Sequence, residues 1–150
     1  MKKIESFQVD HTILDPGIYV SRVDKDITTY DLRTRKPNTG ELIDNGTIHS
    51  LEHMFATMIR NSEITEDVIY FGPMGCQTGF YLLVRNAKNE KVLEVIKKSL
   101  QDIINHKGEM FGASKIECGN YINLDLNLAK KEARIYLDIL NQKEHTFIYK

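Results

Sequence analysis

His49-Ser50-Leu51-Glu52-His53 places two imidazoles four residues apart, with a carboxylate beside the second. On a helix, at about 100° per residue, positions 49, 52, 53 and 56 share one face. Two histidines so spaced direct ring nitrogens to one divalent ion, and Ala56 leaves room beside them. With only five histidines in the chain, chance predicts about 0.01 such arrangements, which favours metal binding over a solvated helix face. A third ligand must come from elsewhere. Cys118, in Lys115-Ile116-Glu117-Cys118-Gly119-Asn120-Tyr121, is the best candidate: its thiolate suits zinc or ferrous iron, and Gly119 lets the backbone turn. The competing reading of Cys118 is a buried structural thiol. Two imidazoles and one sulfur leave a tetrahedral ion with an open fourth position, the mark of a catalytic site.

The second cysteine, Cys76, lies in Pro73-Met74-Gly75-Cys76-Gln77-Thr78-Gly79, a glycine-flanked turn between two strand-like segments. A core cysteine belongs mid-strand, whereas one on a tight loop is expected to be exposed and reactive. Close to a divalent cation it could move protons as well as attack carbon. Ser6, Asp10 and His11 in Ser6-Phe7-Gln8-Val9-Asp10-His11, together with Arg33, could hold polar substrate groups. Arg33 suits bidentate contact with a carboxylate. Taken singly, each of these also fits a solvated surface role. His106 and His145 stand in poorly patterned contexts and receive no role.

Two segments, 18–23 and 29–35, have the period-two patterning of half-buried strands, and 67–72 and 80–85 are two further strand candidates. Asp24-Lys25-Asp26 reads as a hairpin-like turn between the first two, and four strands with short connections favour an antiparallel sheet. Residues 34–47, with Pro37, Asn38, Gly40, Asn45 and Gly46, read as a loop within one domain. Three helices are legible from apolar stripes: about 47–60, about 90–107 with Asn89 as cap and Gly108 as stop, and about 126–141. Strands and helices do not alternate regularly, so the fold class is α+β: about four antiparallel strands packed with three main helices.

The chain has 150 residues, 41% apolar and 27% charged, which supports one domain over 1–150. Twenty basic against 21 acidic side chains, a formal net charge of −1, argue against a nucleic-acid partner. No apolar run approaches the roughly 20 residues that span a bilayer. Glu5 and Asp10 interrupt the start where a signal peptide needs an apolar run, so the expected location is the cytoplasm. Two cysteines in a reducing compartment are expected to be buried, metal-bound or catalytic, not bridged.

Four separated patterns, ESFQVDH, TIHSLEH, GPMGCQTGFY and ECGN, closely resemble the S-ribosylhomocysteine lyase family, bacterial enzymes that make the autoinducer-2 precursor. Their order and spacing extend the resemblance over essentially the whole chain. It implies a small α+β homodimer with two sites at the subunit interface, holding ferrous iron natively and zinc as a common replacement. It places the metal ligands on His49, His53 and Cys118, the proton carriers on Glu52 and Cys76, and the substrate pocket on Ser6, His11 and Arg33. The chain departs from the family pattern at Thr34, where an aromatic is usual, and at Tyr70-Phe71-Gly72, where the lead-in is usually polar; neither is a ligand or carrier. The implied reaction converts S-ribosylhomocysteine to homocysteine and 4,5-dihydroxy-2,3-pentanedione by carbonyl migration and β-elimination. Two other readings of the motif remain: an inverzincin metallopeptidase, which shares His-x-x-Glu-His, or a metal-stabilised binding module with His11 or Cys76 as fourth ligand.

Overall fold

A computed structural model describes residues 1–150. Strands β1 (Gly17–Asp24) and β2 (Ile27–Arg33) form a hairpin turned at Lys25. Helix α1 spans Asn45–Arg60, then come β3 (Val68–Pro73), β4 (Gly79–Arg85), α2 (Asn89–Asn105) and α3 (Leu126–Asn141). Single 3-10 turns lie at Glu5–Phe7, Thr65–Asp67 and Tyr121–Asn123. The sheet is fully antiparallel in the order β1-β2-β4-β3. The α+β class and its element count follow the sequence patterning closely.

The side chains that alternate on one sheet face enter a 24-residue core with the apolar stripes of the helices. Tyr30, Leu32, Phe80 and Leu82 from the sheet meet Leu51, Phe55, Ile96 and Ala133 from the helices there. Phe55 packs on Phe71 with centroids 4.9 Å apart, and Phe71 stacks on Phe80 at 5.2 Å. Aromatic pairs of this kind add specificity to the burial that drives the packing. Asp44 caps α1, its carboxylate accepting from Thr47 N at 2.9 Å. That fixes where the helix starts, and therefore the azimuth of its histidine face.

Three local expectations change. Asn89 does not cap α2; Lys88 occupies that place, and Asn89 Oδ1 accepts instead from the buried Tyr30 hydroxyl at 2.6 Å. A core phenol needs an acceptor, and this demand overrides the cap. Helix α2 ends at Asn105 because His106 turns extended (φ −63°, ψ 127°), not at Gly108. Strand β2 is not half-buried: Asp31 and Arg33, on the face away from the helices, are 1% and 2% exposed. The segment 145–150 covers that face, as its bond from Val20 N to Phe147 O (2.8 Å) and that from Tyr149 OH to Asp31 Oδ2 (2.6 Å) show.

Candidate active site

Helix α1 presents His49, Glu52 and His53 on one half-buried face, as the spacing requires. The irregular segment that precedes α3 is strapped across this face. Asp125 N donates to the buried Ser50 Oγ at 2.8 Å, and Cys118 N donates to Ser114 O at 3.0 Å, folding the cysteine inward. His49, His53 and Cys118 thereby converge, their ligand atoms all within 4.8 Å of one another.

The rings are oriented by what their other nitrogens do. His49 Nδ1 donates to Asn123 Oδ1 at 2.6 Å, and His53 Nδ1 donates to Phe111 O at 3.0 Å. An oxygen acceptor on Nδ1 leaves Nε2 with the free lone pair, the tautomer a metal ligand needs. The two rings stand at 90° with centroids 4.7 Å apart. His49 Nε2 lies 3.4 Å from Cys118 Sγ. Tetrahedral zinc with ordinary bond lengths would set that separation at about 3.6 Å, so the donor set fits one small divalent ion. Asn120 N donates to Cys118 Sγ at 3.4 Å and helps to fix the sulfur.

Glycine matters at a different place from the one expected. Gly119 has open space around it and is not left-handed. Gly112 is at φ +66°, and a Cβ there would fall 2.8 Å from His53 Nδ1. The segment needs a residue without a side chain where it passes the second imidazole. Removing the partner of the first imidazole has a definite expected cost. Asn123→Ala lowers metal affinity about 10–100-fold, read by competition with a chelator, because His49 then loses its fixed tautomer and ring angle.

Cys76 is exposed, as its loop position suggested. Gln77, in the left-handed region at φ 61°, turns the loop, and its side chain donates to Ile43 O at 2.8 Å. The thiol opens into a cavity of about 420 Å³ that Ser6, His11, Arg33 and Tyr81 also line. The structure thus gathers the expected substrate residues around the expected proton carrier. None of His49, Glu52, His53 or Cys118 lines that cavity. Within one chain the sulfur and the ligand cluster belong to separate groups of side chains, contrary to the expectation of a thiol next to the ion. For the same reason neither Cys76 nor His11 joins the cluster as a fourth ligand.

Arg33 lines the cavity with a carboxylate partner already in place. Its bidentate carboxylate is Asp31, with Nε to Oδ1 at 3.1 Å and Nη2 to Oδ2 at 2.6 Å. Burial alone would lower its pKa, but the Asp31 charge outweighs this and holds the guanidinium above its ordinary value. Nη1 donates to Thr78 Oγ1 at 2.8 Å and faces Cys76 Sγ at 3.9 Å. Thr78 Oγ1 is 3.0 Å from the same sulfur. Having accepted from Arg33, the hydroxyl is free to donate to Sγ. The sulfur therefore meets one cation and one hydrogen-bond donor.

Sequence reasoning missed Asp31, Thr78, Asn123 and the Phe111 carbonyl. Two left a signal: Asp31 and Arg33 are two apart on a strand and must share a face, and Thr78 follows Cys76 by two in one loop. Thr34, a departure from the family pattern, is buried and donates from Oγ1 to Thr78 O at 3.2 Å.

A three-ligand cluster beside a carboxylate has the construction of a mononuclear metalloenzyme. The profile of the S-Ribosylhomocysteinase (LuxS) family matches residues 4–147. Relatives named S-ribosylhomocysteine lyase from Borrelia garinii subsp. bavariensis, Borreliella afzelii and Finegoldia magna are 47%, 46% and 44% identical. Each alignment covers 99% of this chain and 99% of the relative. The chain belongs to the S-ribosylhomocysteinase family.

Proposed function

We propose that the protein cleaves S-ribosylhomocysteine to homocysteine and 4,5-dihydroxy-2,3-pentanedione, the autoinducer-2 precursor, as one metalloenzyme domain over residues 1–150. The convergence of His49, His53 and Cys118 with Glu52 on the same helix face carries this reading. Those three side chains would hold ferrous iron or, as a replacement, zinc, which when bound supplies Lewis acidity toward a sugar carbonyl. The chain's residues then move protons. Glu52, through a carboxylate oxygen, and Cys76, through Sγ, remove a proton from the carbon beside the carbonyl and deliver one to the former carbonyl carbon, while the proton of the adjacent hydroxyl passes to the old carbonyl oxygen. Each round shifts the ketone one position along the ribose. Once it sits two bonds from the thioether carbon, a further abstraction expels homocysteine by β-elimination. Arg33 and Thr78 hold Sγ in place, while Ser6, His11 and Arg33, which line one cavity, bind polar groups of the substrate. Incubating the anaerobically purified, metal-loaded protein with S-ribosylhomocysteine should release free thiol; no release would refute the assignment.

The separation of thiol cavity and ligand cluster supports a homodimer in which each site combines the cluster of one copy with the Cys76 loop of the other. Exposed apolar side chains flank both halves: Phe7, 70% exposed, at the thiol cavity, and Ile116 and Ile122, 98% and 81% exposed, beside Cys118. Apolar groups so placed suit burial across a two-fold interface. Mixing inactive Cys76→Ala and His49→Ala homodimers, with exchange of subunits, should restore about a quarter of wild-type activity, since half the dimers then carry one intact site. Failure to complement would place both halves in one chain. No helix is long and apolar enough to cross a membrane, and the reading includes no nucleic-acid or membrane partner and a cytoplasmic location.

A further inference from the structure

A guanidinium contributes to a neighbouring thiolate only while it is kept aimed at the sulfur. The aim of Arg33 is set by Asp31, which takes Nε and Nη2 and leaves Nη1 for Thr78 and Cys76. A carboxylate that turns about its own bond would turn the guanidinium with it, so what fixes Asp31 matters. Asp31 Oδ2 accepts one further hydrogen bond, from Tyr149 OH at 2.6 Å.

Four phenols lie within the field of this ion pair: Tyr19, Tyr81, Tyr136 and Tyr149. Tyr19 OH donates to Asp15 O at 2.7 Å and Tyr136 OH to Gly17 O at 2.9 Å, so neither serves the carboxylate. Tyr81 lines the thiol cavity with His11. The remaining charges nearby, Asp15, Lys36 and Lys150, pair among themselves. Tyr149 is the phenol that reaches Asp31, and it is held there from three sides. Phe147 accepts from Val20 N and buries its ring in the core, 6.5 Å from Tyr30. Phe147 itself is left-handed, at φ 64°, and the chain crosses the edge of β1 at this point. Tyr149 then stacks on Tyr19 with centroids 5.0 Å apart and planes 18° from parallel. Burial, followed by the Asp31 charge, pushes the Tyr149 phenol above its ordinary range, so it stays a donor at neutral pH.

We propose that Tyr149 is a positioning residue of the reaction: its hydroxyl fixes the Asp31 carboxylate and so keeps the Arg33 guanidinium on the Cys76 sulfur. The phenol also takes up part of the carboxylate's charge, which leaves more of the cation's field for Sγ. This inference rests on Cys76 acting as a proton carrier, and the two can fail separately.

The test follows alkylation of Cys76 by iodoacetamide as a function of pH in the metal-loaded full chain. Mass spectrometry of the Cys76 peptide keeps Cys118 out of the signal. Tyr149→Phe retains the ring and its stack on Tyr19 but loses the hydroxyl. Its alkylation midpoint should move to higher pH, with the rate near pH 6 slowed about fivefold. Arg33→Lys should move the same midpoint further, and Tyr19→Phe should leave it in place. A Tyr149→Phe midpoint that matches wild type overturns the proposal, and a lowered melting temperature with an unmoved midpoint does so equally. If instead the midpoint moves but Cys76→Ala still releases homocysteine, the positioning stands and the proton-carrier role falls.

Discussion

Cys76→Ala and Glu52→Gln should each keep their full complement of metal yet release homocysteine about 10²–10⁴-fold more slowly, the usual contribution of a positioned acid or base. Neither side chain belongs to the cluster of His49, His53 and Cys118, so neither change removes a ligand atom. Both are partly open to solvent and make no contribution to the 24-residue core, so the fold should survive. Losing one carrier leaves the other without a partner to return the proton on the opposite side of the sugar. The double variant should therefore be little worse than either single one, as expected of groups that work as a unit. Metal analysis together with a thiol-release assay decides the matter: near-normal release in either single variant removes that residue from the mechanism.

Chelation of the metal should abolish release altogether while the chain stays folded. Structural zinc sites lend their binding energy to folding, and such domains come apart when stripped. Here the core is assembled without the ligands: β2, β4 and the three helices meet through Tyr30, Leu32, Phe80, Leu51, Phe55, Ile96 and Tyr136. The segment around Cys118 is surface structure, held by bonds such as Asp125 N to Ser50 Oγ. Far-ultraviolet circular dichroism should be almost unchanged after chelation, and ferrous iron or zinc added back should restore activity. Unfolding on chelation would instead favour a metal-stabilised binding module.

Much of this was legible in the residues themselves. His49, Glu52 and His53 share a face by helical arithmetic alone, and α1 forms where its stripe of Ile48, Leu51, Phe55 and Ile59 requires. The loop position of Cys76 announced its exposure. Other features could not be read locally. Asn89 has the chemistry of a cap, yet the phenol of Tyr30, distant in sequence, claims its side chain. Arg33 has the chemistry of an anion receptor, yet a carboxylate on its own strand takes the fork.

By itself, then, the sequence determined which elements hold the candidate side chains and to which family the motifs belong, because helical and strand periods act over a few residues. The tertiary structure alone decided the partners of those side chains: Asn123 on His49, Phe111 on His53, and Asp31 and Tyr149 behind Arg33. It also decided that, within one chain, no residue of the ligand cluster lines the Cys76 cavity. The physical reason is that an interior hydrogen bond forms wherever packing brings donor to acceptor, and packing joins segments whose separation along the chain no local pattern records.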